Sequence, residues 1–152
     1  MELLLIRHGD PIYPTDSLTP IGLAQAERLA EALAELPIHA LYCSPLGRAR
    51  LTAEPLAKRK HLTPTILPWL QELNGNYAGQ LWAWNHHGCE AFQETAAMGP
   101  ADWHRFVPYG EHIQKIRAAF EAQFSAFLET QGLRLEGGRY RLLPAYAPEV
   151  TL

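Results

Sequence analysis

The sequence is poor in cysteine, in long apolar runs and in net charge. Two cysteines, Cys43 and Cys89, are too few for a disulfide scaffold, and neither stands at metal-ligand spacing from another cysteine. The apolar run Leu3–Ile6 is too short for a signal sequence or a membrane span. A net charge of -3 gives no electrostatic footprint for nucleic acid or an anionic membrane. These absences predict a cytoplasmic protein that binds neither nucleic acid nor membrane.

The composition is that of a globular domain with a hydrophobic core. Hydrophobic residues make up 47% of the 152 residues. A domain near this length buries roughly 68–70% of the surface that its unfolded chain exposes. The sequence has neither an internal repeat nor a low-complexity tract. We therefore expect a single domain over residues 1–152.

The first forty residues read as a strand followed by a helix. The continuous apolar run Leu3–Ile6 is typical of a strand buried on both faces, and residues 10–18 read as a loop. Thr19 is a plausible N-cap with Pro20 at the first helical position, and Pro37 is expected to end the helix. Apolar residues recur at helical spacing: Ile21, Ala24, Leu29, Ala30, Leu33 and Leu36.

A second strand, a second helix and a third strand follow. Ala40–Cys43 reads as a strand, Ser44-Pro45 as the cap and first turn of a helix, and Thr65–Leu70 as a weaker strand. Pro55 is expected to interrupt the helix, because a proline inside a helix costs about 3 kcal/mol. Alternating strands and helices predict an α/β domain with a parallel sheet.

The C-terminal half contains a long aperiodic stretch and one clear helix. Residues 75–110 read as a cap or loop insertion, with a short helix at residues 101–106. Glu111–Thr130 has aromatic and aliphatic residues at helical spacing, so we expect a helix there. Strands over residues 133–136 and 139–143, joined by a two-glycine turn, predict a β-hairpin.

The tripeptide Arg7-His8-Gly9 comes directly after the first predicted strand. Open α/β sheets bind ligands at the carboxyl ends of their strands. Phosphoryl transfer needs positive charge on the equatorial oxygens, an in-line nucleophile and an acid for the leaving oxygen. Arg7, His8, Arg48 and Glu72 could supply these parts. Each also has a structural alternative, since Arg48 could be a solvated helix charge and Glu72 an exposed surface residue.

Arg7-His8-Gly9 is the first of several motifs in a characteristic order. The others are Leu18–Ala26 (LTPIGLAQA), Tyr42–Glu54 (YCSPLGRARLTAE), Leu70–Gly79 (LQELNGNYAG) and, more weakly, Pro108–Glu111 (PYGE). In this pattern the chain resembles the phosphatase branch of the histidine phosphatase superfamily. The resemblance implies the phosphoglycerate mutase-like fold, a three-layer α/β sandwich with a mostly parallel sheet.

The resemblance also implies a role for each candidate residue. His8 would be the nucleophile that forms a phosphohistidine, and Arg7 and Arg48 would hold the phosphoryl oxygens. Glu72 would protonate the leaving oxygen and later deprotonate the attacking water. The implied activity is phosphomonoester hydrolysis on a phosphorylated small molecule without a cofactor or a metal.

Three departures from the family pattern leave alternatives open. The family's second catalytic histidine, followed by glycine after a late strand, has no counterpart before Leu152, so we expect the C-terminal part of the fold to be missing. Pro14 stands where many relatives have asparagine, and Asp10-Pro11 where Glu-Thr is common. The alternatives are a catalytically impaired phosphate-binding or regulatory module, and a phosphoglycerate mutase-type phosphotransferase. An interaction protein that adds strands at an open sheet edge, with possible homodimerisation, is a third.

The stretch 75–110 and its border hold further candidate ligands. Imidazole and thiolate in the cluster His86-His87-Gly88-Cys89-Glu90 suit zinc, but adjacent histidines point apart, so we expect no metal. Aromatic residues could line the substrate mouth or only pack a cap: Trp82, Trp84, Trp103 and His104. His112 could contact substrate or be a surface residue at a helix start.

Overall fold

The computed structural model describes residues 2–71, 98–105 and 112–146. The chain divides into two compact units, one of residues 1–71 with 146–152 and one of residues 72–145. In the described ranges no helix is both long and apolar enough to cross a membrane.

The first helix, α1 (Pro20–Ala32), begins as the sequence predicts but buries a different face. The Thr19 hydroxyl accepts a 3.0 Å hydrogen bond from the backbone N–H of Gly22, which confirms the predicted N-cap. The predicted apolar stripe is wrong at Ile21, which is 65% exposed, and at Leu36, which is 40% exposed, but right at Ala30, which is fully buried. The buried positions are the small residues Gly22, Ala26 and Ala30, because small side chains let α1 lie close to its neighbours.

The end of α1 is also earlier than Pro37. The Lys60 ammonium donates to the carbonyl oxygens of Ala34 and, at 2.6 Å, Leu36. A cation at these carbonyls satisfies acceptors that a longer helix would otherwise bond. The segment between Ala32 and Pro37 therefore forms turns.

The second helix and the strands on either side of it form a parallel β-α-β unit. Strand β3 (Tyr42–Cys43) pairs in parallel with β4 (Thr65–Ile66), and α2 (Gly47–Lys60) connects them. This confirms the predicted alternation from residue 40 onward. Pro55 does not interrupt α2. Although proline removes one helical hydrogen bond, α2 packs along α1 and buries Thr52 before Pro55 and Leu56 after it, and this packing outweighs the loss.

The predicted first strand, Leu3–Ile6, is not a strand in the structure. Residues 3–9 have no regular secondary structure, and Leu5 is 86% exposed. A strand requires a neighbour that accepts and donates its backbone hydrogen bonds. Within the described residues the sheets are three separate strand pairs, and none of them includes Leu3–Ile6.

The predicted loop at residues 10–18 is a small hairpin. Strand β1 (Pro11–Ile12) pairs antiparallel with β2 (Ser17–Leu18). A 3-10 turn at Tyr13–Thr15 and a left-handed Asp16, with φ 46° and ψ 46°, join the two strands. This hairpin places the side chains of Tyr13 and Asp16, which matter below.

The second unit contains the predicted late helix and hairpin. A 3-10 helix covers Pro100–Arg105, and α3 covers His112–Thr130, close to the predicted bounds. Strands β5 (Leu133–Glu136) and β6 (Arg139–Leu142) pair antiparallel around the two-glycine turn, which confirms the hairpin.

Candidate functional site

His8 lies half-buried in the segment between the N-terminus and β1. Its Nδ1 is 2.7 Å from the carbonyl oxygen of Gly9. A carbonyl oxygen can only accept, so Nδ1 carries the proton and donates it. In the neutral imidazole, this tautomer places the lone pair on Nε2.

The backbone after His8 is tied to both helices of its unit. The Gly9 N–H donates to the Thr52 hydroxyl in α2 at 3.0 Å, and the Thr52 hydroxyl donates to the Arg48 carbonyl at 2.8 Å. The Asp10 N–H donates to the Gln25 side chain in α1 at 2.8 Å. These bonds fix the main chain on which the imidazole orientation depends.

Arg48 is a buried arginine in the first turn of α2, with 8% of its surface exposed. Its Nη1 donates to Asp16 Oδ1 at 2.6 Å. Its Cζ lies 5.4 Å from the centroid of the Tyr13 ring, a cation–π distance. Arg48 is thus not the solvated helix charge of the structural alternative, because its guanidinium is held by an ion pair and an aromatic face.

Tyr13 connects the two predicted site residues. Its ring meets the His8 ring edge-on, with centroids 6.5 Å apart, and its face lies against the Arg48 guanidinium. His8 and Arg48 therefore flank one aromatic ring, although 40 positions separate them in the sequence. Tyr13 as a whole residue is 60% exposed.

Asp16 caps the helix that carries Arg48. Its Oδ2 accepts from the Gly47 N–H at 2.5 Å, and its Oδ1 accepts from the Arg48 N–H at 3.5 Å. The hydrogen bond from Gly47, with the bonds and charge of Arg48, lowers the Asp16 pKa below its ordinary value, so it is a carboxylate at neutral pH.

The predicted cap at Ser44-Pro45 is therefore wrong. The N-cap position is Leu46, whose side chain cannot accept a hydrogen bond. Ser44 Oγ instead accepts from Leu46 N–H at 3.3 Å, within the turn before the helix. Asp16, from another part of the chain, supplies the capping oxygens and meets the helix dipole at its positive end.

The other predicted site residues are less defined. Arg7 directly precedes His8 and is exposed, and in the part of the chain that the structure describes its guanidinium has no ion pair. Glu72 lies outside the described residues, as do Trp82, Trp84 and the cluster His86–Glu90. No side-chain geometry is described for Trp103, His104 and His112. Among the described side chains, no group of three or more potential metal ligands comes together.

Sequence reasoning missed Tyr13, Asp16 and Thr52. All three act through contacts with residues more than 30 positions away. A local signal existed for Asp16 alone, because an aspartate after a proline-containing turn tolerates the left-handed conformation. Nothing local marks Tyr13 or Thr52.

The chain is similar to known phosphatases and to a mutase. It is 32% identical over 148 residues to the adenosylcobalamin/alpha-ribazole phosphatase of Salmonella typhimurium, with 88% of this chain and 71% of that protein covered. It is 34% identical over 83 residues to the probable phosphoglycerate mutase GpmB of Yersinia pestis, with 49% and 39% covered.

Solved structures give a consistent picture of the fold. The crystal structure of the alpha-ribazole phosphatase from Shigella flexneri matches with a TM-score of 0.55 and 27% identity, over 86% of this chain and 68% of that one. The chain spans about half the length of some other solved structures that it matches, for example 46% and 53%. The similarity to the Shigella flexneri structure supports a phosphoglycerate mutase-like α/β fold.

The chain also matches the model of a whole protein family. The family model of the histidine phosphatase superfamily (branch 1) matches residues 3–132, which include Arg7, His8, Arg48 and Glu72. The matched range is well over half of the 152 residues. The chain belongs to the histidine phosphatase superfamily, branch 1.

Proposed function

We propose that the protein hydrolyses phosphomonoesters through a phosphohistidine on His8. The observation that carries the proposal is the hydrogen bond from His8 Nδ1 to the Gly9 carbonyl. It leaves Nε2 as the nucleophilic nitrogen, on a backbone held by Thr52. The proteins similar to this chain include phosphatases of the same superfamily.

The reaction has two displacements at phosphorus. In the first, Nε2 of His8 attacks, the N–P bond forms, and the bond to the leaving oxygen breaks. In the second, a water oxygen attacks, the N–P bond breaks, and inorganic phosphate leaves with His8 restored. Covalent catalysis of this kind replaces one difficult step by two easier ones.

The remaining roles are proposals for Arg7, Arg48 and Glu72. Arg7 and Arg48 would bind the phosphoryl oxygens, for which the planar guanidinium is well suited. Glu72 would donate a proton to the leaving oxygen and then take one from the attacking water. The balance of protons is thereby closed without a metal or a cofactor.

A direct test is to trap the intermediate. The protein is incubated with a phosphomonoester labelled in its phosphoryl group, quenched in denaturant and split between alkali and acid. We expect label on the chain that survives alkali and is lost in acid, the behaviour of a phosphoramidate, and none on His8→Ala. Label that resists acid, or label retained by His8→Ala, would contradict the phosphohistidine.

The similarity to GpmB favours a mutase-type phosphotransfer as the second candidate. Both reactions use the same first displacement and differ in whether water or a second hydroxyl accepts the phosphoryl group. Incubation with 3-phosphoglycerate distinguishes them, because hydrolysis yields glycerate and phosphate, whereas transfer yields 2-phosphoglycerate. Alpha-ribazole phosphate is the first further substrate to test, since relatives are named for it.

The finer fold and cellular assignments belong to the same proposal. The parallel β3–α2–β4 unit supports a three-layer sandwich with a mostly parallel sheet. A single domain over residues 1–152, with 75–110 as a cap or loop insertion, stays a prediction. A cytoplasmic location, homodimer formation and a phosphorylated small molecule as the substrate stay predictions.

A further inference from the structure

We propose that Asp16 is a positioning residue for phosphoryl transfer, which holds the Arg48 guanidinium in the orientation that receives the phosphoryl oxygens. The inference rests on the proposed function of His8 and Arg48. It adds a residue that acts through Arg48 and does not itself touch the substrate.

One carboxylate fixes both the main chain and the side chain of Arg48. Asp16 Oδ1 accepts from Arg48 Nη1 at 2.6 Å and from the Arg48 N–H at 3.5 Å, while Oδ2 accepts from the Gly47 N–H at 2.5 Å. A Cβ at Gly47 would collide with the Asp16 carbonyl oxygen. The close approach of the Asp16 turn to α2 therefore depends on glycine at position 47.

The turn that contains Asp16 also places Tyr13 beside the Arg48 guanidinium. The Asp16 N–H donates to the Tyr13 carbonyl at 3.1 Å, which closes the 3-10 turn between β1 and β2. The Arg48 Cζ lies over the Tyr13 ring, 5.4 Å from the ring centroid. The ion pair with Asp16 and the contact with the Tyr13 ring together restrict where the guanidinium can lie.

The negative charge of Asp16 distinguishes a positioning role from a role in anion binding alone. A carboxylate beside Arg48 weakens the attraction of that arginine for any anion, phosphate included. A site selected only to bind phosphate would gain affinity without Asp16. A site that must hold a guanidinium in one orientation for the transition state gains from it, because a misplacement of about 1 Å can cost on the order of a hundredfold in rate.

The experiment compares two anions bound by the full chain. Inorganic phosphate measures ground-state binding, and orthovanadate, which becomes five-coordinate, measures complementarity to the transition state. For Asp16→Asn we expect the phosphate Kd to stay within about twofold or to tighten, and the orthovanadate Kd to weaken by about tenfold or more. An equal change in both constants, including no change, would overturn the positioning role.

Two further variants make the result specific. In an Arg48→Ala background, Asp16→Asn should change the orthovanadate Kd by less than about twofold, because the two residues act as a unit. A full tenfold loss in that background would show that Asp16 does not act through Arg48. Glu54→Gln, which removes an exposed carboxylate from the same helix, should leave both constants unchanged; a tenfold loss of orthovanadate affinity there would make the effect one of charge in general.

Folding and function can be separated from positioning. If Asp16→Asn does not fold, Asp16→Glu keeps the charge and moves the carboxylate by one methylene, and the same selective loss for orthovanadate is expected. An unchanged ratio of the two Kd values in Asp16→Glu would overturn the proposal. His8→Ala should lose the preference for orthovanadate over phosphate. If His8→Ala still prefers orthovanadate, the proposed function fails. If His8→Ala loses the preference but the Asp16 variants keep it, the proposed function stands and the role of Asp16 does not.

Discussion

The hydroxyl of Thr52 accepts a hydrogen bond from the Gly9 N–H at 3.0 Å and so links the residue after His8 to the helix that carries Arg48. Thr52 is buried, and its hydroxyl also donates to the Arg48 carbonyl at 2.8 Å. Both hydrogen-bonding functions of one side chain are therefore used within the candidate site. The relative positions of His8 and Arg48 depend on it.

Thr52→Val tests this link with little change in shape. The variant leaves the part-buried Gly9 N–H without its acceptor. A fully buried donor left unpaired costs about 1–3 kcal/mol, so we expect a loss at the lower end, about 1 kcal/mol. We expect a lower Tm and weaker orthovanadate binding, measured by thermal unfolding and calorimetry. Thr52→Ser keeps the hydroxyl and should restore most of the orthovanadate affinity. A Thr52→Val protein with unchanged affinity would mean that the hydrogen bond does not position the His8 segment.

Gly22 is the contact point between α1 and the segment after His8. A Cβ at this position would lie 2.9 Å from the Asp10 backbone nitrogen and closer still to the Asp10 carbonyl oxygen. That carbonyl also accepts from the Thr19 N–H at 3.0 Å, so it cannot move away freely. Close packing against backbone thus requires glycine here.

Gly22→Ala changes the stability of the protein in two opposite directions, one through helix propensity and one through packing. Propensity alone would make alanine more stable by about 1 kcal/mol, while overpacking costs about 1–3 kcal/mol. Because the clash is with backbone, we expect a net loss of stability and a lower Tm. Gly99→Ala, where a Cβ would meet nothing within 4 Å, is the control and should leave the Tm almost unchanged. A Tm raised by Gly22→Ala would show that the backbone around Asp10 moves to make room for the Cβ.

The elements that the sequence predicts correctly carry local signals. The N-cap Thr19 and the following Pro20 begin α1, and the two-glycine turn joins β5 to β6. The parallel pairing of β3 with β4 follows from the strand–helix–strand order alone. Neighbouring residues decide the helix start and the turn, and the order of elements decides the parallel pairing, so a sequence pattern suffices to predict them.

The features that the sequence does not predict depend on distant partners. Asp16 caps α2 by accepting a hydrogen bond from the Gly47 N–H, which lies 31 residues later in the chain. Leu3–Ile6 has the composition of a buried strand, yet a strand forms only beside a pairing neighbour. The face that α1 buries follows from the close approach of Asp10 and α2 rather than from its largest apolar residues. The site residue His8 was recognisable from its motif, whereas its neighbour Tyr13 was not.

Glu72→Gln tests the proposed proton donor by leaving-group dependence. A good leaving group departs without protonation, so only poor leaving groups need the acid. We expect the variant to lower kcat/KM by about 10²–10⁴-fold for alkyl phosphates and much less for p-nitrophenyl phosphate. Steady-state kinetics across a series of leaving groups measure this. Equal slowing for every leaving group would remove Glu72 from the acid role.

The stability of the protein at acid pH should depend on Asp16. Its folded pKa is lowered, first by the hydrogen bond from the Gly47 N–H and then by Arg48, below an ordinary value of 3.8. The stabilisation is therefore fully present above about pH 3.8 and is lost as the pH falls through the lower folded pKa. Asp16→Asn should lower stability near neutral pH and flatten its decline in this acid window, measured by denaturant unfolding from pH 7 downward.

Added salt distinguishes the effect of Asp16→Asn on stability from the effect of breaking a surface ion pair. The pKa of Glu54 is also lowered, by an exposed side-chain hydrogen bond to Lys58 and by the charge of Lys58. Glu54→Gln therefore serves as the matched control. At about 0.5 M salt, where charges are screened within a few ångströms, the effect of Glu54→Gln should largely disappear. The effect of Asp16→Asn should persist, because the largest cause is a hydrogen bond to backbone. If salt removes both effects equally, the cap of α2 contributes through charge alone, and the Gly47 hydrogen bond is not what stabilises the ionised carboxylate.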